Sequence, residues 1–395
     1  MQFGGSVRAA YVAFAAFGAF WGVWGASVPR VQEQAGVTDG QLGTALLFVG
    51  AGALPAMLIT GRALDRWGLR LAAVLIAALG VTGAGLAFAA VNQVGLCVGL
   101  AVVGATSGAA DVAMNAVAGR AEKDAGRPVI TRAHGVFSGF VVLGSLATGL
   151  SSAAGRPVSL PFAVVAALSL SAAISLAISL PAARPAAATA ATTDGPARTA
   201  RIAPFVLIGL LGALAFASEN AHQSWSAVFA HDELGSGLGL SAVAPAVFAA
   251  TVAVTRFAAG GLSGEHDRTV LLAGATGAAV GAVVIAAAPT LAVAAFGLVV
   301  AAAGTAVLFP TLVGIASRGV DEARRGRATS IVSTVSYVGF LLGPVYVGRF
   351  SDAVGLRGAM VAVAGLGVAL AVLAVPVLRW ALEFRDGLRR HRPAA

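Results

Sequence analysis

"GRALDRWGLR", Gly61 to Arg70, places Arg62, Asp65, Arg66 and Arg70 between two apolar runs at 42–60 and 71–90. A helix needs about 20 mostly apolar residues to cross a bilayer, and each run is close to that length. A short charged stretch between two such runs is a hairpin turn at a membrane surface. The same test applied outward from this turn finds twelve runs. They lie near 9–28, 42–60, 71–90, 94–118, 134–154 and 159–180, then 204–230, 240–262, 269–288, 291–317, 328–348 and 358–380. The gaps "VNQ" (91–93) and "APT" (288–290) fit tight turns.

Composition agrees. Of 395 residues, 58% are hydrophobic and 11% charged, with a mean hydropathy of +0.88. Globular chains average about 25% charged residues, so a soluble protein is excluded. Gly is abundant (51 residues), as suits helices that pack closely in lipid. Cys97 is the single cysteine, which excludes an intrachain disulfide and offers no metal-site spacing. No nucleotide-binding loop, metal cluster or nucleophile triad is apparent, so neither an enzyme nor a cofactor is expected.

The net charge of +9 is informative through its distribution. Cytoplasmic loops of membrane proteins carry an excess of Lys and Arg. With a cytoplasmic N-terminus, all 26 positive residues fall on the cytoplasmic side except Arg30, Arg156, Arg349 and Arg357. One miscounted helix would reverse every later loop, so the asymmetry supports all twelve runs. It predicts a multi-pass inner-membrane protein with both termini cytoplasmic, and it gives the positive charge a reason other than nucleic acid.

The longest gap is Ala-, Pro- and Thr-rich without apolar periodicity, which predicts a flexible linker over 181–203. It separates a six-helix bundle at 1–180 from a second at 204–395, the latter ending in a short cytoplasmic tail. The halves echo each other. "GATSGAADVAMN" from Gly104 corresponds to "GTAVLFPTLVGI" from Gly304, and "RAHGVFSGFVVLG" from Arg132 to "RATSIVSTVSYVG" from Arg327. Related six-helix halves are the pattern from which transporters build a midplane site.

The Gly61–Arg70 stretch resembles the G-x3-D-[RK]-x-G-x-[RK] signature of the major facilitator superfamily of secondary transporters. Gly61, Asp65, Arg66, Gly68 and Arg70 all match, and the resemblance extends over essentially the whole chain. It implies an all-α membrane protein with twelve transmembrane helices in two pseudo-symmetric six-helix bundles. In that signature the glycines would allow a tight turn, and Asp65 would face a helix N-terminus or an arginine, gating the cytoplasmic side. In the equivalent loop of the second half, "GLSGEHDRTV", only Gly261 and Glu265 correspond. "GRFSDAVGLR" (Gly348 to Arg357) looks like a second copy, but the topology puts it outside, as a loop-and-turn element.

Within that superfamily, "DVAMN" looks like the acidic-x3-Asn element of the fucose permease branch of sugar/proton symporters. "SENAHQSWSAVF" resembles a related rhizopine-associated, MosC-like subgroup, with Glu219 followed by Trp225 and Ser226. Helix one has no acid, unlike fucose permease. Helix four lacks the arginine, and helix five the Gly-Pro pair, of drug exporters.

Of the 17 acidic residues, only Asp111 and Glu219 fall well inside a run. An acid at membrane depth costs roughly 2.5–3.5 kcal/mol and is a functional candidate by default. Asp111 shares a helical face with Gly104, Gly108 and Asn115. Desolvation disfavours the charged form of a carboxyl group, which suits Asp111 to hold a proton and release it when water or a substrate hydroxyl arrives. Glu219 is followed at three and four residues by His222 and Gln223, predicting a proton-handling group of Glu219 and His222 on one face. Asn115, His134, Ser138, Gln223, Trp21 and Tyr337 are the candidate substrate contacts. Trp24 and Trp225, toward the outer ends of their helices, fit interface anchors. The expected activity is proton-coupled transport of a small polar solute, a sugar or polyol first, by a monomer in the lipid bilayer. Proton-driven export of a drug-like compound or secondary metabolite is the alternative.

Overall fold

The computed structural model describes residues 3–181, 202–259, 264–318, 320 and 322–390. No strand occurs among them. The helices are α1 (Phe3–Ala35), α2 (Asp39–Trp67), α3 (Leu71–Ala89), α4 (Gln93–Ala125), α5 (Ile130–Ala153) and α6 (Ser159–Ser179). Then come α7 (Ala203–Glu233, closing in a π turn), α8 (Leu238–Ala259), α9 (Asp267–Ala287) and α10 (Leu291–Arg318). A last helical stretch runs Glu322–Arg390. Its apolar part spans 57 residues, which as one rod would measure about 86 Å, nearly three times a hydrocarbon core of about 30 Å. Gly355 resolves this with φ 76°, ψ 167°, a conformation open to glycine alone. It divides the stretch into α11 (322–354) and α12 (356–390), the twelfth helix. The linker expected over 181–203 lies almost wholly outside the described residues, as does Gly261.

The helices overrun the apolar runs. α1 and α4 each span 33 residues, and their extra turns carry Glu33 and the Arg120–Asp124 ion pair, Nε to Oδ2 2.9 Å. A helix satisfies its own backbone hydrogen bonds wherever the bilayer ends, so a hydropathy limit need not be a helix limit. The same reason corrects the expectation for Gly348–Arg357. That segment is helical up to Gly355, and the turn there is a single residue. Arg357, an exception to the positive-inside pattern, donates from Nη1 to the carbonyls of Ala286 and Ala288, each at 2.9 Å. It caps the carbonyl end of α9, where a cation is favoured.

Contacts divide the chain into two units. One gathers α1–α6 with Ser226–Ala250; the other gathers α7 up to Trp225 and the chain from Thr251 onward. In the first unit α2 packs on α4, α1 on α5 and α3 on α6; in the second α9 packs on α10 and on the α11–α12 stretch. The glycine content has its explanation here. A Cβ on Gly52 would overlap the carbonyl of Ala101, one on Gly104 that of Val49, and one on Gly339 that of Ala213. These helices meet backbone to backbone, the arrangement small residues permit in lipid.

Candidate functional site

In the first unit the centre is α4. Gly104 and Gly108 lie against Val49 and Ala53 of α2. One turn further along, Asn115 Nδ2 donates to the Asp111 carbonyl at 2.9 Å and to its carboxylate Oδ1 at 3.2 Å. The spacing of four residues sets this contact. Neither side chain is fully enclosed. The structure therefore presents an acid already holding one amide donor, with further lone pairs to offer.

Aromatic rings of α1 and α5 form a second group. Phe14 meets the exposed His134 ring edge-on, centroids 4.9 Å apart. Trp21 lies edge-on to Phe20 (5.4 Å) and Phe17 (6.4 Å), and Phe17 packs on Phe137 at 5.9 Å. Trp21 is partly exposed. Ser138 donates its hydroxyl proton to the His134 carbonyl at 3.1 Å, which leaves its lone pairs for a ligand.

The second unit holds the more elaborate cluster. Glu219, at mid-α7, is bound by Arg256 of α8: Nη2 reaches Oε1 at 2.8 Å and Oε2 at 3.1 Å. The carboxylate side chain is 14% exposed and the guanidinium 44%. The charge distribution counted Arg256 only as a positive residue of the cytoplasmic side; it belongs to α8 and pairs with this acid. The available signal was its position six residues inside the run 240–262. His222 is buried, with Nδ1 2.7 Å from the Ser218 carbonyl of its own helix. Glu219 therefore takes a charged partner from α8 that the sequence reading did not include, because a guanidinium offers the carboxylate a charge and donors together. Gln223 remains partly exposed, one turn beyond Glu219.

One turn before Glu219, Phe216 stacks on Phe309 at 4.2 Å. It also contacts Tyr337 at 5.7 Å and Phe340 at 6.2 Å. Tyr337 thereby joins an aromatic wall that α7, α10 and α11 build together and that adjacent-residue patterns do not disclose.

Two prolines explain how this cluster is held. Pro310 has no N–H for the carbonyl four residues earlier, Ala306, and Pro344 none for Phe340. A carbonyl freed inside an apolar helix must find another donor. Arg256 Nε supplies one to Ala306 O at 3.3 Å, and Asn220 Nδ2 supplies one to Phe340 O at 2.6 Å. Trp225 Nε1 adds a bond to Pro344 O at 3.2 Å. Trp225 is fully buried and Trp24 nearly so, which corrects their assignment as interface anchors. The sequence signal is the same for a membrane-interface Trp and for one whose N–H meets a buried carbonyl. Asn220→Ala is expected to cost about 1–2 kcal/mol by orphaning Phe340 O, measured as lowered thermal stability in detergent. Ser224→Ala, which removes only a 3.1 Å bond to Asn220 Oδ1, should cost less.

The Gly61–Arg70 turn closes α2 on α3. Gly68 adopts φ 77° and its N–H caps Leu64 O. Gly61 is inside α2 with open space where a Cβ would stand, so only Gly68 serves the turn. Arg70 Nε donates to Leu180 O at 2.9 Å, tying the start of α3 to the end of α6. Arg66 lies 6.0 Å from the Trp67 ring. Asp65 is exposed and makes no ion pair with a described residue. In the corresponding loop of the second half the paired acid is Asp267, bound to Arg318, while Glu265 is exposed.

The family model of the Major Facilitator Superfamily matches residues 9–267 and 246–394. The uncharacterized transporter y4wD of Sinorhizobium fredii is 29% identical over 357 residues, 89% of this chain and 92% of that protein. Membrane protein MosC of Rhizobium meliloti is 26% identical over 355 residues, 88% and 84% of the two chains. The crystal structure of a mutant nucleoside transporter, NupG, superposes with a TM-score of 0.76 over 94% of this chain and 99% of that one. At 15% identity that likeness is one of fold.

Proposed function

Since this chain belongs to the Major Facilitator Superfamily, a family of membrane transporters and not of enzymes, we propose that it is a proton-coupled secondary transporter of a small polar solute, a sugar or polyol first. The observation that carries this is the Glu219–Arg256 pair beside a wall of aromatic rings in otherwise apolar helices. Rings offer faces to a sugar's C–H surface, and the ion pair offers donors and acceptors to its hydroxyls. The DVAMN resemblance favours a solute with a sugar ring.

The roles follow from the chemistry of each group. Asp111 and Glu219 take and release the proton, with His222 buried one turn along from Glu219. Asn115, His134, Ser138 and Trp21 meet the solute in the first unit, Gln223 and Tyr337 in the second. Asp65, Arg66 and Arg70, turned at Gly68 and led into by Gly61, gate the cytoplasmic side. The protein works by alternating access as a monomer in the cytoplasmic membrane, with both termini inside. Its halves are 1–180 and 204–395, and 181–203 links them.

The test is reconstitution in liposomes with labelled sugars, polyols and nucleosides under an imposed pH gradient. Uptake of one of these that follows inward proton flow is the expected result. Extrusion of lipophilic cations with no response to sugars would replace this proposal with the drug exporter.

A further inference from the structure

The first unit has an open surface cavity of about 440 Å³ whose lining includes none of the residues assigned above. Its walls are the start of α1, the turn between α4 and α5, and one face of α5. Arg8 and Arg127 line it together with Tyr11 and an apolar strip that includes Val12, Ala15, Val136 and Phe140. No acid lines it.

The acids nearest in sequence are already engaged. Asp124 is paired with Arg120. Glu122 Oε2 accepts from the backbone N–H groups of Val129 at 2.8 Å and Ile130 at 3.0 Å, capping α5. Arg8 and Arg127 are exposed and in no ion pair with a described residue. Two uncompensated guanidiniums are a recognition element for a phosphate group. The apolar strip runs from Val7 to Ala15, about 12 Å along α1. That is the continuation an acyl chain needs and a soluble phosphate does not.

We propose that this cavity binds an anionic phospholipid, its phosphate held by Arg8 and Arg127 and an acyl chain laid along Val12, Ala15, Val136 and Phe140. The inference rests on the topology proposed above, which puts this end of α1 at the cytoplasmic leaflet, where anionic headgroups attract basic pockets. It does not rest on the transported solute.

Native mass spectrometry of the full chain, purified with mixed phosphatidylglycerol and phosphatidylcholine, tests it. Wild type should retain phosphatidylglycerol in preference to phosphatidylcholine. The Arg8→Gln/Arg127→Gln double variant should retain about tenfold less, while Arg132→Gln, an exposed arginine outside the cavity, should match wild type. The Arg8→Lys/Arg127→Lys variant should fall between, since an ammonium keeps the charge but not the bidentate geometry. Unchanged retention in the Gln double variant would overturn the proposal. Displacement of the lipid by glycerol 3-phosphate at equal concentration would overturn it as well, because the headgroup alone would then explain binding. Because the readout is bound lipid, it can fail while transport stands, and the converse.

Discussion

Asp111→Asn should leave a protein that folds and still exchanges labelled substrate for unlabelled, yet no longer accumulates it against a gradient. The amide has the shape of the carboxyl group, and its oxygen can still accept from Asn115 Nδ2, now 3.2 Å from the carboxylate. What the substitution removes is the titratable group. A gradient of one pH unit carries about 1.4 kcal/mol per proton, a tenfold concentration ratio at equilibrium. Wild-type liposomes should therefore approach about tenfold accumulation per pH unit for one coupled proton. The variant should stop at equal concentrations at every pH. Full accumulation in Asp111→Asn would remove this residue from the coupling path and leave Glu219 as the candidate.

Arg256→Ala has the next largest expected effect. One guanidinium serves both oxygens of Glu219 and the Ala306 carbonyl freed by Pro310. Its loss leaves a mostly enclosed carboxylate without its cation and the carbonyl freed by Pro310 without its donor. Hydrogen bonds to charged groups contribute about 1.5–3 kcal/mol. Because the guanidinium is nearly half exposed, water takes over part of this, so about 1–2 kcal/mol of stability is expected to go. Transport should drop at least about tenfold. Arg256→Lys should fail too, because one ammonium cannot reach two helices in the geometry of a planar fork. The decisive comparison is the Glu219→Gln/Arg256→Ala double variant. Removing the stranded charge should restore part of the lost stability without restoring transport. Equal stability of the single and double variants would mean the pair is not coupled.

The sequence made the membrane helices legible because length and apolarity alone define them. The Asp111–Asn115 contact was legible too, since spacing by four along a helix puts two side chains together whatever surrounds them. Arg256 was not. Positive charge near a helix end has one explanation in topology and another in pairing, and only the three-dimensional approach of α8 to α7 separates them. The bonds from Arg256 and Asn220 to proline-freed carbonyls were hidden for a related reason. Pro310 and Pro344 announce which carbonyls lose a partner, but the replacement donors come from about 50 and 120 residues away. The aromatic wall around Phe216 likewise joins rings from three helices. Local pattern placed the elements, while the site depends on contacts between elements distant in the chain.

Gly355 turns α11 into α12 by itself, and in the same unit only Ala288–Thr290 joins α9 to α10; in the first unit only Gly36–Thr38 joins α1 to α2 and only Ala90–Asn92 joins α3 to α4. A single glycine cannot be a lid, and three residues can scarcely be one. Where turns are this short, polar groups are carried by the helix ends themselves, as with Glu33 of α1 and His231 at the end of α7, whose side chains meet at 3.1 Å. An antibody or protease would find almost no loop to grasp at any of these four turns.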